Sequence, residues 1–345
     1  MKGTKLSGMI FFVLGFAILT YLVIDLGVDK IYENILKTGW WFIPVVGIWL
    51  FIYLLNAFAW NYIIGRKYSP GYGHVLGITV SGFAINYITP FVNLGGEPYR
   101  IMALKEATGI HKAVSSVILY TMMHMFSHII FWVITIFLYL IFWPMSDFLF
   151  TFLSISLAVL LLLLWFFFTR YKAGVLLSFT NLVKKLKFLK KINKIIESKQ
   201  DSLKMIDDQI KYLYFNRPKA FIIALGLEFI GRIMAASEFY FIILAVNIEA
   251  SFPDTLMVYS GVTLFTNILF FMPLQLGSRE GGLYIVFESM GISPEMGVFV
   301  SLITRIRELF WILIGLLLIK INNLGNHKNR IPELSGKEKE LLDKT

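Results

Sequence analysis

Residues 89–100 read Thr-Pro-Phe-Val-Asn-Leu-Gly-Gly-Glu-Pro-Tyr-Arg, and they interrupt an apolar segment that runs from about 75 to 112. A second apolar segment, about 255 to 292, is interrupted by Pro273-Leu-Gln-Leu-Gly-Ser-Arg-Glu-Gly-Gly282. Each interruption sets Gly and Pro beside a Glu and an Arg. Backbone that leaves the helix at membrane depth must line a cavity or be covered by protein, because its N–H and C=O groups need partners. The placement of these two segments decides the fold.

The surrounding composition supplies the membrane. Of 345 residues, 57% are apolar and 16% charged, with a mean hydropathy of +0.71. Soluble domains are about 45–50% apolar and about 25% charged. An ordinary soluble enzyme and a disordered chain are excluded, and a polytopic helical membrane protein is expected. Without cysteine there are no disulfides, thiolates or Cys-ligated metals. Long apolar runs cover about 6–26, 40–64, 114–142, 147–169, 218–246 and 296–320. Each is long enough to cross about 30 Å of hydrocarbon. No small-x-small cleavage pattern follows the first, so it is expected to be a retained span.

Charge orients the spans. If each broken segment crosses once, a cytoplasmic N-terminus leaves 170–219 outside, yet that stretch holds 13 Lys and Arg against four acids. An external N-terminus corrects this but exports Lys2, Lys5, Arg66, Lys67 and the basic tail from Lys320. If both segments are re-entrant, six crossings hold the termini, the 65–74 loop and 170–219 in the cytoplasm. This arrangement alone follows the positive-inside rule. The expected fold is all-α: six full spans plus two re-entrant broken-helix hairpins.

A shift of 182 residues lays Leu94-Gly95 on Leu276-Gly277, Gly109-Ile110 on Gly291-Ile292, and span 40–64 on 222–246. Paired spans then run in opposite directions, the pattern of an inverted-topology repeat. Chance similarity of two glycine-rich breaks is the alternative. The expected divisions are an N-terminal span and outer loop (1–39), a first repeat (40–142), a linking span with a basic cytoplasmic segment (143–217), a second repeat (218–320) and a tail (321–345).

A helix that restarts after a break offers free N–H groups and a positive dipole end, which suit a phosphate. The expected substrate-binding set is Asn93, Gly95, Gly96, Glu97 and Arg100 from the first break. Gln275, Gly277, Arg279, Glu280, Gly281 and Gly282 join from the second, with Arg305 from the last span. Arg279 is the expected phosphate contact and Glu97 the counter-charge or amine contact. The alternative is that these charges are structural ion pairs at hairpin tips. Glu228 and Arg232, four apart, are expected to pair within one helix. Glu238 has no local partner, and Arg307 and Glu308 have an open orientation. His124 and His128 have metal-pair spacing but no third ligand, so packing or hydrogen bonding is expected and no metal. No nucleophile triad or Walker loop appears, and no cofactor is expected. Lys184, Lys185, Lys187, Lys190, Lys191 and Lys194 interleave with Leu and Ile as a basic amphipathic helix for anionic lipid of the cytoplasmic leaflet. A solvated linker is compatible with the same pattern. Because 170–219 carries nearly all of the net charge of +10, nucleic acid is not expected as a partner.

These motifs make the chain resemble the lysylphosphatidylglycerol synthase transmembrane-region family, the flippase-like membrane proteins. The resemblance covers about 7–322. It rests on Pro90, Gly95-Gly96-Glu97-Pro98-Tyr99-Arg100 and Gly109, and on Pro273, Gly277, Arg279-Glu280-Gly281-Gly282, Gly291 and Arg305. It implies a module that moves aminoacylated or otherwise modified lipids between leaflets, fused in the synthases to a soluble aminoacyltransferase domain. These 345 residues hold no such domain, so a transporter is expected rather than a lipid aminoacylating enzyme. The resulting expectation is a flippase of the cytoplasmic (inner) membrane, with both termini cytoplasmic, for a phosphate-bearing lipid, aminoacylated or polyprenyl. An intramembrane lipid-linked transferase, a scaffold for an envelope-synthesis enzyme and a solute transporter are the alternatives.

Overall fold

The structure is a computed structural model that describes residues 20, 24, 27–89, 95–143, 146–170, 174–184, 200–270, 272–275, 277–293 and 295–325. The described residues are helical, joined by turns, with no strand among them. The span expected at 6–26, apart from Thr20 and Ile24, lies outside them, as do Asn93, the lysines from Lys185 to Lys194 and the tail beyond Gly325.

The chain opens with α1 (Val28–Thr38), a short helix within the expected outer loop. Val28, Tyr32 and Leu36 recur every fourth residue and are all exposed, as on a helix that lies in a membrane interface. Next comes α2 (Phe42–Ile64), followed by the first broken segment as two helices, α3 (Tyr72–Ile88) and α4 (Gly96–Thr108). At about 1.5 Å per residue these two are roughly 25 and 20 Å long, each short of a full crossing. Two long helices follow, α5 (Ile110–Phe142) and α6 (Asp147–Arg170).

Two amphipathic helices, α7 (Val175–Lys184) and α8 (Gln200–Asn216), link the halves. The buried Asp207 of α8 accepts the Leu177 N–H at 2.8 Å and so caps the start of α7. The second half runs α9 (Pro218–Ala245), α10 (Phe252–Ile268), α11 (Ser278–Ser289) and α12 (Glu295–Gly325). Proline opens α9 and α10, where a missing N–H costs least. A reciprocal Ser251–Asp254 cap also fixes the start of α10. Leu274 and Gln275 take left-handed φ values of 53° and 56° in the second break. Among the described residues, four helical stretches are long and apolar enough to cross a membrane: Tyr32–Ile64, Ile110–Phe142, Asp147–Thr169 and Pro218–Ala245.

The core forms where the halves meet. Helix α2 lies along α9, and α3 lies along α12. Small residues permit both approaches, as in other membrane helix pairs. In the first, a Cβ on Gly231 of α9 would sit 3.6 Å from the Asn56 side chain of α2. In the second, a Cβ on Gly315 would meet the Val80 carbonyl oxygen at 3.0 Å. Ser81 adds a hydrogen bond to the Gly315 carbonyl at 2.9 Å. In contrast, α6 presents Phe148, Ile155, Leu162 and Trp165 outward, a face suited to lipid.

Candidate functional site

Between the two broken segments lies a cavity of about 470 Å³. Helices α2, α3, α4, α5, α9, α10 and α12 and the 275–279 turn wall it. Three acids (Glu97, Glu238, Glu308), three arginines (Arg232, Arg279, Arg307) and two histidines (His124, His128) line it. Isolated charges in such surroundings are costly, so they pair.

The pairing is complete on the second-break side. Arg279 donates to Glu308 at 2.7 Å, to the Gln275 side chain at 2.8 Å and to Thr304 at 3.3 Å. Arg307 grips Glu238 with two bonds, 2.7 and 2.9 Å, and stacks over Trp49 at 3.8 Å. Trp49 Nε1 donates to the same carboxylate at 2.8 Å. Arg307 also lies 3.9 Å from Glu308, which joins the two pairs into one chain of four charges.

The first-break side keeps spare capacity. Glu97 meets Arg100 at 3.2 Å through one carboxylate oxygen, while its Oε2 is buried without a partner among the described residues. Thr121 Oγ1 and His128 Nδ1 are in the same condition. Buried polar atoms are normally bonded, so these three mark where a polar ligand or water would be held. Arg100 is buried behind this wall, against Phe83 (4.7 Å) and Tyr120 (5.4 Å). Gly82 makes that possible, since a Cβ there would meet Arg100 Nε. Likewise, Gly96 brings α4 against α3. Its N–H donates to Asn86 at 2.6 Å, and a Cβ would collide with the Gly82 carbonyl oxygen.

The expected site residues therefore separate. Glu97, Gln275 and Arg279 line one cavity. Gly95, Gly96 and Arg100 build the wall behind Glu97. Gly277 has φ 80° and donates its N–H to Glu280 at 2.8 Å, which caps α11. Glu280 accepts from Arg305 at 2.7 Å and from Ser301 at 2.6 Å, and this group is not part of the cavity lining. Gly282 packs on Phe265, and a Cβ on Gly281 would meet nothing.

Glu228 pairs with Arg232 at 3.2 Å, as its spacing implied, and also with His124 at 2.7 Å. Glu238, without a local partner in sequence, finds Arg307 on α12. Glu238, Arg307, Glu308, Arg232 and His124, which stood outside the expected binding set, thus supply most of the cavity's charge. Their signal was simply their presence in apolar spans. A further signal lay in the 182-residue shift, which pairs Asn56 with Glu238; both line the cavity.

Fold and site together define a multi-pass, all-helical membrane protein with a charged internal cavity. The chain belongs to the lysylphosphatidylglycerol synthase transmembrane-region family, whose model matches residues 9–315. It is also similar to a UPF0104 membrane protein of Methanocaldococcus jannaschii, with 22% identity over 320 residues, 89% of this chain and 92% of the relative. No solved structure matches it significantly.

Proposed function

We propose that this protein moves a phosphate-bearing lipid between leaflets, with the headgroup passing through the charged cavity while the acyl chains stay in the bilayer. The observation that carries this reading is the cavity's rim. Met125 lines the cavity, is 48% exposed, and sits about halfway along the 33-residue α5. Phe270, two residues past the end of α10, lines it too and is 57% exposed. An apolar rim at mid-helix depth meets lipid tails, so the polar chamber opens sideways into the bilayer. A small-solute carrier would instead open along the membrane normal to water.

Three acids and three arginines suit a headgroup that offers an anionic phosphate together with a hydrogen-bond donor. Arg279 takes the phosphate in exchange for its bonds to Gln275 and Thr304, and Glu97 Oε2 accepts from an amine or hydroxyl. The order α2–α3–α4–α5 followed by α9–α10–α11–α12 supports an inverted repeat. The 182-residue shift carries Gly96–Thr108 onto 278–290, against α11 at Ser278–Ser289. Rocking of one half against the other then exposes the cavity to each leaflet in turn.

The test is dithionite bleaching of NBD-labelled phosphatidylglycerol in proteoliposomes. Wild-type protein is expected to expose inner-leaflet label, and Arg279→Ala to slow that exposure to the level of protein-free vesicles. Equal rates for both proteins would overturn the site assignment.

A further inference from the structure

His124 lies on α5, where its imidazole meets two charges of α9. Its Nδ1 is 2.7 Å from Glu228 Oε2. The Arg232 guanidinium nitrogen is 2.6 Å from Nδ1 and 2.9 Å from Nε2. A carboxylate only accepts and a guanidinium only donates. The neutral Nδ1–H tautomer donates to Glu228, while a guanidinium nitrogen this near both ring nitrogens lies against the ring itself and not in line with the Nε2 lone pair. Nε2 is then the ring atom that can take a proton, and the Arg232 cation against the ring opposes it.

A proton on Nε2 would set a second cation against Arg232. The guanidinium must then leave the ring. It keeps Glu228 at 3.2 Å and Ser127 at 3.3 Å within reach, and it lines the cavity. The other charged or titratable groups around His124 are Tyr120 and His128 on its own helix and Glu97 and Arg100 on α4; α3 contributes the Phe83 ring at 5.7 Å.

We infer that His124, Glu228 and Arg232 form a proton-binding site linked to occupation of the cavity. A phosphate in the cavity offers Arg232 an acceptor and draws its positive charge away from the imidazole, which favours a proton on His124. Phosphate and proton are then held together, and their charges cancel during passage through low dielectric. Linkage requires reciprocity: the proton raises phosphate affinity by the factor by which phosphate raises proton affinity. This rests on the transport reading, and it supplies that reading with an energy source, the proton gradient.

Two measurements on the full chain decide it. The first is pH-difference infrared spectroscopy with ring-labelled histidine, in nanodiscs of digalactosyldiacylglycerol with and without phosphatidylglycerol. The His124 band is identified by its loss in His124→Gln, and the exposed His111 serves as the surface-pH reference. Relative to His111, phosphatidylglycerol is expected to raise the His124 midpoint by about one pH unit, a tenfold linkage within the usual range. Should His124→Gln fail to fold, Glu228→Gln keeps the side-chain volume and is expected to lower the same midpoint. A His124 midpoint that moves no further than that of His111 overturns the proposal.

The second is NBD-phosphatidylglycerol translocation with and without a one-unit pH gradient. The leaflet distribution is expected to change about tenfold for one proton per lipid. Translocation indifferent to the gradient overturns the coupling and leaves the flippase reading standing. A linked His124 midpoint without any translocation upholds the proton site and overturns the transport reading.

Discussion

Arg307 and Glu238 lie 69 residues apart in sequence and join through two parallel hydrogen bonds of 2.7 and 2.9 Å, with side chains 4% and 2% exposed. The pair ties α12 to α9 across the cavity, and Trp49 adds α2 to the same knot. Removal of one partner leaves an uncompensated buried charge, at a cost of about 3–5 kcal/mol. Glu238→Leu and Arg307→Leu are each expected to show that loss in unfolding by steric trapping, while the double variant recovers most of it. A double variant as unstable as the sum of the two would contradict the pairing.

The two breaks are built from glycines with different duties. A Cβ on Gly96 would press on the Gly82 carbonyl oxygen, so Gly96→Ala must push α4 off α3. The expected loss is about 1–3 kcal/mol, as for other overpacked sites. Gly281 has open space around the same position. Gly281→Ala is therefore expected to be neutral or to gain up to about 1 kcal/mol of helix propensity. Thermal stability in detergent distinguishes the two, and equal losses would argue against the close α3–α4 contact.

Orientation has its own test, helped by the absence of cysteine. In the re-entrant arrangement two crossings, α5 and α6, separate Lys67 from Lys204, so both face the cytoplasm. Were α3–α4 a full crossing, they would face opposite sides. An impermeant maleimide applied to intact spheroplasts is expected to spare Lys67→Cys and Lys204→Cys alike and to label Glu33→Cys and Glu249→Cys. Labelling of one lysine position alone would overturn the re-entrant reading.

The breaks were legible in sequence because Gly and Pro interrupt apolar runs, and in each broken segment one helix ends and another starts around those residues. Which charges share the cavity was not legible, because that depends on rotation about each helix axis. Arg305 and Arg307 show why. Two residues apart on one helix, they point about 200° apart. Arg307 reaches the cavity and Glu238, while Arg305 turns to Glu280. Nor could sequence separation reveal that Glu308, not Glu97, is the carboxylate that neutralises Arg279. That contact requires α12 to pass the second break, which only the packed structure arranges.

The central claim is that lipid headgroups pass through the charged cavity, and the rim at Met125 allows it to be tested within one sample. In Met125→Cys proteoliposomes, NBD-phosphatidylglycerol translocation is measured before and after treatment with a cationic methanethiosulfonate reagent, and mass spectrometry verifies labelling. The cysteine-free parent controls for reagent effects. A plugged cavity is expected to bring translocation down to that of protein-free vesicles while the parent is unaffected. Fully labelled protein that translocates at its original rate would contradict the account.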